Sequence, residues 1–225
     1  MPVQIQNTAN LDSKQGVKCV CYGPSGIGKT RLCATAPRPL VFSCEAGLLS
    51  LRKSNTPYIE VSSYDALVDA YLWVMKSHEA KSFDTFCLDS VSEIGEVVLS
   101  GLRKKQKDPR KLYPEHQDDM ISLFRAFRDM PNKHVYFVAK QEQDKDATGV
   151  IRFSPMMPGN KLKQQVPYFF DEVFQLCTFR AADGKDYLAL RTQRDNLNDA
   201  KDRSGALDMY EPPDLTHVFN KIMRG

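Results

Sequence analysis

The chain has 225 residues, 42% hydrophobic and 26% charged, which excludes a wholly disordered polypeptide and leaves room for one well-filled α/β domain. Thirty-one basic residues against 28 acidic ones give a net charge of +3, too small by itself to argue for nucleic acid. No stretch approaches the roughly 18 uninterrupted apolar residues of a membrane span, and the opening Met1-Pro2-Val3-Gln4-Ile5-Gln6 lacks the regions of a signal peptide, so a cytoplasmic location is expected.

A single domain is expected over residues 1–225, with an N-terminal arm over 1–14. Residues 17–22 read as a strand, followed by a Gly-rich turn and a helix from about residue 28. A second strand covers 40–43, after Pro37 and Pro39, and a third covers 58–61. Apolar residues at Leu67, Val68, Ala70, Tyr71, Val74 and Met75 predict a helix from Asp65. Residues 83–88 form a buried strand, 91–102 and 116–130 are helical, and 134–139 is again a strand. Residues 173–179 and 187–192 read as paired strands turned by Asp183-Gly184, before a terminal helix over 215–223. This order predicts an α/β fold whose mostly parallel sheet carries helices on both faces and an antiparallel C-terminal edge.

The six cysteines (Cys19, Cys21, Cys33, Cys44, Cys87 and Cys177) lie in or beside apolar runs, with no C-x-x-C pair, and read as small buried hydrophobes. His78, His116, His134 and His217 show no ligand spacing, so no zinc site is expected.

The segment Gly23-Pro24-Ser25-Gly26-Ile27-Gly28-Lys29-Thr30 fits G-x-x-x-x-G-K-[ST] in full. Its glycines let backbone N–H groups turn inward around phosphates, Lys29 can reach the β and γ phosphates, and Thr30 can bind Mg²⁺ through its hydroxyl. A chance match in a chain of this size is on the order of one in a hundred. A P loop needs a second acid for the metal, and Asp89 supplies one at the end of the apolar run Phe86-Cys87-Leu88. The other reading of Asp89 is the cap of the helix that follows. Ser90 comes next, where many AAA+ ATPases have a glutamate, so the base must come from elsewhere. Glu45, just beyond the strand over 40–43, stands where a carboxylate faces the nucleotide crevice and can activate water. Glu93 is the alternative base, but one turn into a helix it is expected to point away.

Arg103-Lys104-Lys105-Gln106-Lys107-Asp108-Pro109-Arg110-Lys111 holds six basic residues and one acid. It reads as an exposed loop able to neutralise phosphates without reading sequence, or as a solvated basic surface that binds nothing.

The P loop, a glutamate after the next strand, an Asp-Ser pair at the end of the strand over 83–88 and a polar residue ending a later one together resemble the RecA-like P-loop ATPase core. The similarity is strongest to phage-encoded RecA-like ATP-binding proteins grouped with single-strand annealing proteins. It extends to Tyr113 and the helix after it, to Pro155-Met156-Met157-Pro158-Gly159, and to Ala200-Lys201-Asp202-Arg203-Ser204-Gly205. The resemblance implies a catalytic role for Glu45 and a γ-phosphate sensor at Lys140 or Gln141. It implies that Lys201 and Arg203 reach a neighbouring subunit's nucleotide, and that residues 142–165 carry a DNA-binding loop with Lys161, Lys163 and a stacking Phe153. The function so implied is an ATP- and Mg²⁺-binding recombination protein that binds single-stranded DNA and promotes annealing or strand pairing. It would act as a ring or filament of identical copies, with a single-strand-binding protein as a further partner. The alternatives are a small-molecule P-loop kinase using Arg191, Arg194 and Arg203 as a phosphate-clamping lid, and a motor or helicase-loader ATPase subunit.

Overall fold

A computed structural model describes residues 16–45, 47–145 and 149–224; the expected N-terminal arm lies outside them. In chain order, β1 (Lys18–Gly23) leads to α1 (Lys29–Cys33), β2 (Pro39–Ser43), β3 (Tyr58–Glu60), α2 (Tyr64–Lys76), β4 (Thr85–Asp89), α3 (Val91–Lys105) and α4 (Pro109–Arg128). The second half contains β5 (His134–Lys145), β6 (Ile151–Pro155), α5 (Asn160–Phe169), β7 (Glu172–Arg180), β8 (Asp186–Arg191), β9 (Lys201–Asp202), β10 (Tyr210–Glu211) and α6 (Leu215–Arg224).

The sheet runs β10-β8-β7-β1-β5-β4-β2-β3, with β6 paired to β5 and β9 to β7. The six strands from β7 to β3 are parallel, while β8, β10, β6 and β9 pair antiparallel. The expected architecture is therefore present. β1 is buried at all six positions, as a strand covered on both faces must be. Its alternate side chains serve two cores: Val20 and Tyr22 face α2 to α5, and Cys19 and Cys21 face α1 and α6. The first core centres on aromatic rings, with Phe127 edge-on to Phe42 at 5.6 Å and Phe137 edge-on to Phe170 at 4.9 Å. Such pairs each add about 0.5–1.5 kcal/mol beyond their burial. All six cysteines are free thiols; Cys19, Cys21, Cys33 and Cys87 are buried and Cys44 and Cys177 partly so. No helix among the described residues is long and apolar enough to cross a membrane.

Two expectations are corrected. The basic run over 103–111 is not a loop. Arg103, Lys104 and Lys105 form the last turn of α3, where cations suit the helix dipole, and Arg110 and Lys111 belong to the first turn of α4. The Asp108 carboxylate caps that helix by accepting from Arg110 N at 2.9 Å, and Pro109 follows in the first turn, where its missing N–H costs nothing. Second, β5 does not stop at residue 139. It continues to Lys145 and turns back as β6, with Gln141 opposite Pro155 and Lys145 opposite Ile151, so much of the expected DNA loop is a hairpin. The helix expected from about residue 28 is present and short, five residues that end before Pro37 and Pro39.

Candidate functional site

β1 lies between β5 and β7, and its carboxyl end at Gly23 opens into the P loop at the edge of the sheet. The three glycines of the motif answer different demands. A Cβ on Gly23 would lie 2.6 Å from the backbone oxygen of Leu176 on β7, so this glycine is required by strand packing. Gly26 (φ 77°) and Gly28 (φ 114°) hold left-handed conformations that other residues avoid, and a Cβ there would meet nothing within 4 Å. They bend the loop and leave open space above it.

That space is a cleft of about 550 Å³, walled by the loop and by Glu45, Asp89, Ser90, Lys140, Gln141 and Met156, among others. Lys29 donates to Gly23 O at 2.7 Å and Pro24 O at 2.9 Å. Burial lowers the pKa of its ammonium, partly offset by the nearby acids Asp89 and Glu45. Asp89 ends β4 deep in the cleft and is 6% exposed. Burial pushes its carboxyl pKa up; the Thr30 hydroxyl beside it and Lys29 oppose that shift, while Glu45 adds to it. The α3 cap is Ser90, which accepts from Glu93 N at 3.3 Å, so the capping role considered for Asp89 falls to its neighbour. The same Ser90 hydroxyl donates to Glu45 Oε1 at 2.7 Å. One rigid hydroxyl thus ties the helix cap to the carboxylate. Lys140 Nζ lies 2.6 Å from Glu93 Oε2 and 3.6 Å from Glu45 Oε1. Its pKa is raised, first by the hydrogen bond to Glu93.

The motif residues therefore converge, with one exception. The Ile27 side chain turns away and packs against the core beneath the loop, leaving this position only its backbone to offer. Lys140 and Gln141 both line the cleft, but only Lys140 bridges the two acids; the Gln141 amide oxygen lies 3.4 Å from Gln175 Nε2. Glu93, expected to point away, lies outside the cleft lining yet is held to it through Lys140. The role of Ser90 was missed, although Ser90-Val91-Ser92-Glu93 has the S-x-x-E spacing of a helix cap and could have placed that hydroxyl. Ser92 was missed too: it accepts from Lys140 N at 2.9 Å and donates to Met156 O at 2.7 Å.

Lys201 and Arg203 are elsewhere. β9 pairs with the start of β7, Lys201 opposite Val173, at the end of the sheet remote from the chain's own P loop. Lys201 Nζ donates to Pro167 O at 3.0 Å and Phe170 O at 2.7 Å, and Arg203 pairs with Asp171 at 2.7 Å. Arg191 pairs with Asp195 and Arg194 with Asp199. None of Arg191, Arg194 and Arg203 lines the cleft, so the lid expected of a kinase is not assembled.

Arg103, Lys104, Lys105, Lys107, Arg110 and Lys111 are all exposed. Lys163 is not available as expected, because Glu142 and Asp144 on the β5–β6 hairpin pair with it. Phe153 packs against the core instead of standing free to stack on a base. Lys161 belongs to α5, and its side chain lies outside what the structure describes.

The donors fit a magnesium–nucleotide complex. A hydroxyl and a buried carboxylate are hard oxygen ligands, and the desolvated Asp89 gains most from a cation. Fold and cleft together define a P-loop nucleotide-binding domain. A family model described as an AAA domain matches residues 15–204, most of the chain, and the chain belongs to that family. No curated protein matches it by sequence. Among solved structures, an ATPase from the type III secretion system of pathogenic bacteria is 15% identical with a TM-score of 0.49, over 72% of this chain and 51% of its own. The flagellar accessory protein FlaH from Methanocaldococcus jannaschii is 12% identical with a TM-score of 0.41, over 79% of this chain and 77% of its own. The chain thus spans about half the length of the first of these.

Proposed function

We propose that the chain is a RecA-like ATPase that binds ATP with Mg²⁺, hydrolyses it between identical copies, and binds single-stranded DNA to promote annealing or strand pairing. The observation that carries the ATPase reading is the Ser90–Glu45 contact, which holds a carboxylate at the cleft across from Lys29, Thr30 and Asp89. Thr30 and Asp89 would hold the metal, which when bound neutralises phosphate charge. Lys29 would exchange the carbonyls of Gly23 and Pro24 for phosphate oxygens. Glu45 has one oxygen occupied by Ser90 and the other free to take a proton from water. Lys140, already poised between Glu45 and Glu93, is the better placed of the two sensor candidates.

The position of Lys201 and Arg203 leaves a shared site as the one way they could act on a nucleotide. They cannot serve their own P loop, so a role at a nucleotide requires a second copy, and Arg203 must then leave Asp171 and Lys201 the carbonyls of Pro167 and Phe170. Arginine suits that task because its planar fork can contact two phosphate oxygens. The DNA reading rests on the exposed basic cluster where α3 ends and α4 begins.

The test is an ATPase assay with and without single-stranded DNA, beside a panel of nucleoside monophosphates. Stimulation by DNA is expected; turnover only with a small acceptor would overturn the reading. Mixing Lys29→Ala with Arg203→Ala should restore part of the activity, because some interfaces then pair an intact P loop with an intact arginine. No recovery from assembled mixtures would remove the shared site.

A further inference from the structure

Beside the basic cluster lies a second cavity, of about 260 Å³, which no role above uses. One wall is α4, through Tyr113, Pro114, His116 and Gln117; the other is Pro158, Gly159 and Leu162, where β6 passes into α5. Tyr113 is 53% exposed, costly for a large aromatic ring with nothing to cover it. Three residues before it stands Arg110, also exposed, so helical spacing places a guanidinium on the same stripe as Tyr113, Pro114 and Gln117. Lys111 flanks that stripe, and the exposed Lys107 lies in the short segment just before the helix. The floor is fixed: His116 is 1% exposed, and its Nε2 is bonded to Gly95 O at 2.9 Å. The acids nearby do not close the mouth, since Glu115 is engaged by Gln106 and Asp118 lies on the adjacent stripe of the helix.

We infer that this cavity receives one base of a single-stranded nucleic acid, with Tyr113 as the stacking platform, Gln117 as a polar contact to the base edge, and Arg110 on the adjoining phosphate. The inference deepens the proposed DNA-binding role and rests on it. A stacking platform beside clustered cations is what sequence-tolerant single-strand binding requires, since every base offers a π face and every nucleotide a phosphate. Phe153, the stacking residue expected from the sequence, is packed against the core.

The cavity is also tied to the nucleotide cleft by three residues of chain. Met156 lines the cleft and Pro158 walls the cavity. Met156 N donates to Lys140 O at 2.7 Å, and Ser92 joins Met156 O to Lys140 N. On the cavity side, Pro158 packs so closely on α3 that a Cβ on Gly95 would lie 2.7 Å from it. A base entering the cavity presses on Pro158 and so on the segment that carries Met156 into the cleft. That is a physical route by which DNA would change turnover.

The experiment measures binding of the full chain to labelled oligodeoxythymidylate and to an abasic strand of equal length, at one fixed salt concentration. Wild type should prefer the strand with bases. Tyr113→Ala should lose roughly tenfold on that strand and nothing on the abasic one, and Tyr113→Trp should restore the preference. In a Trp73→Phe background the new tryptophan should be quenched by DNA. If Tyr113→Ala binds both strands as wild type does, while neutralising Arg103, Lys104 and Lys105 weakens both, the base cavity is wrong and the DNA reading stands. If wild type binds neither strand, both fall.

Discussion

The two ends of the parallel sheet both gather charged side chains and treat them in opposite ways. At the amino end, Lys18 donates to Met130 O and Lys133 O, and Lys201 donates to two carbonyls at the end of α5. Asp202 accepts from Ser204 Oγ, Gly205 N and Leu207 N. These groups are spent on holding the chain together. At the carboxyl end, Asp89 is buried with a carboxyl pKa pushed up, Glu45 meets Ser90 and Lys140 through one oxygen and keeps the other for a ligand, and Lys29 rests on the loop it belongs to. Charge that is costly to bury and only partly answered by protein marks the end that waits for a ligand. The comparison also explains why Arg203, with an acid partner at the amino end, can face a second molecule only by breaking that pair.

Substitutions at the two ends should therefore separate function from stability. The largest effect is expected from Lys29→Ala, which removes the point charge from the loop; turnover should fall below detection with little change in melting temperature, read by an ATPase assay beside calorimetry. Next, Glu45→Gln should keep nucleotide affinity while hydrolysis drops by roughly 100-fold or more; normal turnover there, with loss in Glu93→Gln, would transfer the base to Glu93. At the opposite end the pattern should invert. Lys18→Ala strands Met130 O and Lys133 O and should cost about 2–3 kcal/mol in denaturant unfolding without altering nucleotide affinity.

The narrowest test concerns Glu172, the exception at the amino end. It is 1% exposed, its Oε2 has no partner, and it sits directly opposite Asp202 across β7 and β9. Burial first, then the Asp202 charge, raises its carboxyl pKa to about 8. An unfolded glutamate titrates near pH 4.3, so between that value and pH 8 the folded chain binds more protons and stability falls as pH rises. Lys18 acts with the other sign. Burial lowers its pKa to about 8, so from pH 8 to about 10.4 the unfolded chain binds more protons and stability rises. The local contribution should have its minimum near pH 8. Melting curves of Glu172→Gln should lose the decline below that pH and keep the rise above it; an unchanged decline would place the proton elsewhere.

Much of the cleft was legible because its signals are local. A G-x-x-x-x-G-K-[ST] run between a strand and a helix, and an acid ending an apolar strand, need no tertiary information. Glu45 followed from strand order alone. What could not be read depends on contacts distant in sequence or on signals with two meanings. A run of cations around a proline reads as a loop, whereas Asp108-Pro109 starts a helix when the carboxylate caps the next turn. Lys163 looked like a free cation because its partners, Glu142 and Asp144, lie across a hairpin whose strands the sequence did not reveal. Phe153 looked exposed for the same reason. The tie of Lys201 to the α5 carbonyls spans more than thirty residues and leaves no trace in local composition.

The P-loop signature is two inheritances written as one word. Gly23 is demanded by the oxygen of Leu176, a neighbour that would be there in a chain that never met a nucleotide, whereas Gly26 and Gly28 have no such creditor. Were a descendant of this chain to abandon nucleotides, the second and third glycines could change once the loop relaxed its left-handed bends, while the first would stay as long as the sheet did. A degraded motif that keeps only its opening glycine would then record a surviving sheet and a vanished ligand.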